Sequence, residues 1–147
     1  MSGKLYDRTP PQNLEAERSV LGAMLLNPEA VHQAIDVLGH KREGVFFNTA
    51  HQHIYDAACS IVETGTPFDI VTVLGELAST GKLEEIGGAA TVSDLISAVP
   101  TSANIRYYAK IVLDCWQHRA GIEAATHAAA AAYSAEDEPS KVLAELM

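Results

Sequence analysis

Between Ser102 and Tyr133 the chain contains no proline and a single glycine, Gly121. The second half of this stretch is dominated by alanine (Ala124, Ala125 and Ala128 to Ala132), the residue of highest intrinsic helix propensity. The stretch predicts one helix of about 30 residues, about 45 Å long at 1.5 Å per residue. A compact chain of this size has a radius of gyration near ~15 Å, equivalent to a sphere just under about 40 Å across. The helix is longer than the body it belongs to, so part of it is expected to protrude. Ser134 to Ser140 is a polar turn, and Pro139 is placed to start a further helix bearing Val142, Leu143 and Leu146. That helix reads as the start of an antiparallel return arm. So short an arm cannot cover the stalk, so the sequence reads as a truncated fragment of something longer, or as a chain whose stalk a second copy covers.

Shorter helices precede the stalk. Asn13 can cap a helix carrying Leu14, Val20, Leu21, Met24 and Leu25. Asn27-Pro28-Glu29 is a helix start, with an acceptor, a first-turn proline and a dipole-matched acid. Val31, Ala34, Ile35 and Leu38 follow, and Gly39 ends the run. Lys41 to Phe47 reads as a loop, and Asn48 caps the next helix through Ile54, Ile61 and Val62, stopped by Gly65 and Pro67. Asp69 opens another through Ile70, Val73, Leu74 and Leu77. The β-branched Ile70–Leu74 run makes a short strand the competing reading, but the cap before it and Gly81 after it favour helix. Ala89 to Val99 is a short helix closed by Pro100. The fold class is therefore all-α, a globular helical head followed by a long protruding helix that starts a hairpin. The divisions are a flexible N-terminal arm at 1–12, the head at 13–101, and the long helix with its hairpin arm at 102–147.

Charge narrows the function. Ten basic against 19 acidic residues give a net charge of −9, and Lys41-Arg42 is the densest basic run. Nucleic-acid binding draws much of its strength from cations that neutralise phosphates, so direct binding of DNA or RNA is not expected. No run of 18 apolar residues is present to span a membrane. The N-terminus, MSGKLYDRTPPQ, lacks the apolar core of a secretory signal. Two cysteines, Cys59 and Cys115, suit a reducing compartment, so a cytoplasmic location is expected.

Catalytic motifs are missing. Gly81-Lys82 is followed by Leu83 and preceded five residues earlier by Glu76, which is not a phosphate-cradling loop. His51 and His53 are two apart and do not share a helix face, and Cys115 and His118 have ligand spacing but nothing nearby completes a metal set. Glu15 and Glu17 read as dipole support for the first helix, and Glu84-Glu85 as a solvated turn. Phe46-Phe47, Tyr107, Tyr108 and Trp116 read as packing residues, since no flanking cations suit them to base stacking. No catalytic residue, cofactor site or metal site is expected.

Residues 10–28, PPQNLEAERSVLGAMLLNP, resemble the opening of the DnaB-type replicative helicase N-terminal domain. The resemblance continues in order through Phe46-Phe47-Asn48 to His51 and Ile54-Tyr55. It then runs through Asp69 to Val73, Leu83 to Gly88, Val99 to Ile105 and Tyr107 to Val112, and covers roughly residues 8–112. It implies an all-α head followed by a helical hairpin, self-association in pairs with three pairs forming a collar on a hexameric ring, and docking of primase or a helicase loader. It places ATP, magnesium and DNA unwinding in a separate C-terminal RecA-like domain that this chain lacks. The chain itself is then a non-catalytic assembly and primase-docking domain. A standalone all-α dimerising scaffold or regulator is the alternative. The docking patch is expected at Arg119, Ile122, Glu123 and Thr126 on the stalk, with Thr91 nearby on the head.

Overall fold

The computed structural model describes residues 8–97, 104–134 and 138–145. Seven helices lie among them: α1 (Leu14–Leu26), α2 (Pro28–Leu38), α3 (Thr49–Glu63), α4 (Ile70–Ser79), α5 (Ala89–Ser97), α6 (Ile105–Ser134) and α7 (Pro139–Glu145).

The first four begin where a short polar side chain can accept from the free amides of a first turn. Asn13 accepts from the Ala16 N–H at 2.9 Å, and Asn48 from that of His51 at 3.2 Å. Asp69 accepts from Thr72 at 2.8 Å while the Thr72 hydroxyl accepts from the Asp69 N–H at 3.0 Å, a reciprocal capping box. This box fixes Ile70–Leu74 as helix rather than strand. Asn27 acts twice. Its backbone N–H donates to the Ala23 carbonyl at the end of α1, and its side chain accepts from the Glu29 N–H at the start of α2.

Helix α1 is the axle of the head and packs against α2, α3, α5 and α6. Val20, Leu21 and Met24 of α1 are buried among Val31 and Leu38 of α2, Ile54 and Tyr55 of α3, Val73 and Leu77 of α4, and Val92 and Leu95 of α5. The first turns of α6 lie across α1 and α2 and bury Ile105, Ala109 and Val112. Arg106 reaches Asp36 of α2 at 3.2 Å.

The long helix spans 30 residues, continuous through Gly121. Burial explains its course. Its apolar stripe ends near Trp116, and residues 121–127 are all exposed. Ala128 is buried again where α7 packs back on the stalk. Residues 135–137 between α6 and α7, and the expected closure of α5 at Pro100, lie outside the described residues.

Candidate docking groove at the junction of stalk and head

The loop between α2 and α3 has no helix or strand to satisfy its backbone, and buried peptide groups need partners. Side chains from three helices supply them. From α6, Trp116 Nε1 donates to the Glu43 carbonyl at 3.2 Å. Arg119 Nη2 donates to the carbonyls of Gly44 at 2.8 Å and Val45 at 3.2 Å, and its Nη1 to that of Pro11 at 2.8 Å. From α3, Gln52 accepts from the Phe46 N–H at 2.9 Å and donates to the Arg42 carbonyl at 3.0 Å. From α1, Glu17 accepts from the Phe47 N–H at 2.7 Å and the Asn48 N–H at 3.3 Å. The same carboxylate meets His51 Nδ1 at 2.8 Å.

Glu17 therefore does not act as a solvated supporter of its own helix dipole. It is 1% exposed and its charge sits at the N-terminus of α3, where free amides attract an anion. A sequence signal for this exists. Glu17, Val20, Leu21 and Met24 share the i, i+3, i+4, i+7 spacing of one helix face, which places the acid on the buried stripe. His51 follows from the same arrangement: it faces Glu17, whereas His53 Nε2 lies 3.5 Å from Glu85. The two histidines diverge, as their spacing requires. No group of three metal-ligating side chains occurs among the described residues.

The gripped loop presents Phe47 outward, the residue 39% exposed, with the Arg119 guanidinium 5.6 Å from its ring centroid. Phe46 turns inward onto Tyr55, ring centroids 5.0 Å apart. Phe47 forms one wall of an open groove of about 730 Å³, completed by Arg8, Thr9 and Pro10 of the arm and by Arg119, Ile122, Glu123, Ala125 and Thr126 of the stalk. A second crevice of about 480 Å³, lined by Glu43, Gly44, Trp116, Arg119, Ala120 and Glu123, adjoins it. Its Trp116 ring is covered on one side by the Arg42 guanidinium at 4.7 Å.

Four of the five expected docking residues, Arg119, Ile122, Glu123 and Thr126, meet in this groove. Thr91 does not line it. Thr91 stands on α5, its hydroxyl against Gly87. Arg119 also differs in kind from the other three, because its guanidinium is engaged by backbone carbonyls and shapes the groove. The free groups are the Ile122 side chain (54% exposed), the Glu123 carboxylate and the Thr126 hydroxyl. An apolar wall rimmed by a few polar groups suits a protein segment.

Burial shifts the titratable groups beneath the loop. The Tyr55 hydroxyl, donating to the Gly39 carbonyl at 2.6 Å, is pushed far above its ordinary value by desolvation. Burial likewise raises the Cys59 thiol, the Cys115 thiol and the Asp56 carboxyl. Glu85 is lowered by its hydrogen bond to Lys82.

A helical head and a projecting stalk with an open groove at their junction define an all-α domain without strands among the described residues. The DnaB-like helicase N terminal domain family matches residues 9–114. The chain is 46% identical over 145 residues to the replicative DNA helicase DnaC of Bacillus subtilis, covering 99% of this chain and 31% of that protein. It is 48% identical over 121 residues to the replicative DNA helicase DnaB of Mycobacterium leprae, covering 82% of this chain and 20% of that protein. The crystal structure of the N-terminal domain of DnaB helicase from Mycobacterium tuberculosis matches with a TM-score of 0.86 at 41% identity, covering 94% of this chain and 98% of that one. The chain belongs to the DnaB-like helicase N-terminal domain family, and it spans about a third or less of these curated relatives.

Proposed function

We propose that this chain is the assembly and docking domain of a replicative DNA helicase. The parent protein unwinds DNA with ATP and magnesium held in a separate C-terminal RecA-like domain. The domain pairs with a second copy through head and hairpin contacts, three pairs forming a collar, and offers the junction groove to primase, with a helicase loader as competing occupant. The observation that carries the docking assignment is the meeting of Ile122, Glu123 and Thr126 with Phe47 in one open groove. Exposed Tyr133 and Leu143 at the far end of the stalk (91% and 60%) support self-association there.

Titration calorimetry with the helical C-terminal domain of primase tests the docking assignment. Ile122→Glu and Thr126→Arg alter exposed side chains, so the fold is expected to survive. Each is expected to weaken binding on the order of tenfold or more, as at an interface hot spot. Wild-type affinity in both variants, or no binding by the wild-type chain, overturns the assignment.

A further inference from the structure

We propose that Glu17, buried and outside the groove, is a positioning residue that sets the direction of the stalk, acting through the loop at Glu43–Asn48. Four consecutive peptide groups of this loop are held from two sides. Arg119 on the stalk holds the carbonyls of Gly44 and Val45, and Glu17 in the head holds the N–H groups of Phe47 and Asn48. A planar peptide group cannot turn one end without the other. Arg119 and Glu17 hold different peptide groups, and the residue that joins them, Phe46, is itself fixed by its N–H on Gln52 and its ring on Tyr55, so a cation on one side and an anion on the other clamp one short piece of chain.

This clamp matters because of where it lies. The last buried stalk residue in the head is Val112, and residues 121–127 are exposed. Beyond Val112 the hydrogen bonds from stalk to head include those of Trp116 and Arg119 to this loop and to Pro11. The direction of the stalk is thus set by the direct packing of its first turns on α1 and α2 and, beyond them, by this loop, which Glu17 of α1 holds. Phe47, the loop's contribution to the groove wall, takes its place from the same bonds. This inference stands on the head–stalk geometry and does not require primase to be the occupant.

The test reads each substitution at the far end of the clamp, in the full chain. Spin labels at exposed Ser79 on the head and Ala130 on the stalk, in a Cys115→Ser background, report stalk direction. Amide exchange at Phe47 and Asn48 reports the loop. Glu17→Gln removes the charge without changing the shape. It is expected to broaden the Ser79–Ala130 distance distribution, although the hydrogen bonds of Glu17 run to the loop and to His51 and not to the stalk. Arg119→Ala is expected to speed exchange at Phe47 and Asn48 on the order of tenfold, although Arg119 does not bond those amides. A wild-type distance distribution in a folded Glu17→Gln variant reduces Glu17 to local support of the loop and overturns the proposal. Wild-type exchange in Arg119→Ala overturns it too, and decides alone if Glu17→Gln does not fold.

Discussion

Tyr55 donates its hydroxyl to the Gly39 carbonyl at 2.6 Å, tying the middle of α3 to the end of α2. Gly39 adopts a φ of +89° there, a conformation that glycine reaches without strain. The bond adds a second donor to a half-buried carbonyl that also accepts from the Arg42 N–H at 3.4 Å. Tyr55→Phe keeps the ring and removes the donor. It is expected to lower stability by about 1 kcal/mol, since a part-buried carbonyl loses its shorter bond and keeps only the Arg42 N–H at 3.4 Å. Denaturant unfolding followed by circular dichroism checks this, and an unchanged midpoint contradicts it.

Two glycines separate conformational need from mere occupancy. A Cβ at Gly121 meets nothing within 4 Å, whereas a Cβ at Gly87, at φ +106°, falls 2.5 Å from the Thr91 hydroxyl. Gly121→Ala is expected to stabilise by up to about 1 kcal/mol. Gly87→Ala is expected to destabilise by more than about 1 kcal/mol through strain and clash. Thermal melts of the two variants shift in opposite directions, and equal shifts contradict the assignment.

Asp56 supplies a pH signature. Desolvation raises its carboxyl above the ordinary 3.8 in the folded chain. The native state then binds the proton more tightly than the unfolded one, so the stabilising contribution is present at low pH and lost as pH rises through the folded value. Asp56→Asn removes the cost of ionisation and keeps an oxygen for Gln52. The melting temperature at pH 7 is expected to rise, and the gain to vanish once pH falls below the ordinary value of 3.8. A gain that persists at low pH points to packing instead.

The cysteines are expected to behave unequally. Cys59 is buried, accepts from the Lys41 N–H at 3.4 Å, and has its thiol raised by desolvation. Cys115 on α6 is partly exposed. A thiol reagent at about pH 7.5 should modify one cysteine per folded chain and the second only on unfolding. Mass mapping that finds Cys59 modified first contradicts this.

The order of helices was legible because each start and stop has a local cause. Asn13, Asn27, Asn48 and Asp69 cap where their side chains predict, and the long helix predicted over Ser102–Tyr133 is observed at Ile105–Ser134. Ile122, Glu123 and Thr126 share a face by helical spacing, so their meeting was legible too. The roles of Glu17 and Arg119 were not, because their partners are backbone groups 30 and 75 residues away. A charge inside an apolar stripe announces a buried partner, but one chain does not say which loop supplies it. Thr91 stands on a different helix and does not line the groove: helical spacing fixes a face within one element, while the placing of α5 against α6 is a tertiary matter.

Asn27 finishes one helix with its main chain and begins the next with its side chain, so no spare length separates α1 from α2. An elbow of this kind has a fixed opening and tolerates no inserted residue, because an insertion divides the two duties between different positions. Cutting the backbone there would release two frayed ends at once and detach the axle of the bundle from its first neighbour. New termini or a grafted peptide should therefore be sought elsewhere, and the same single residue makes the first hairpin a unit that is inherited whole.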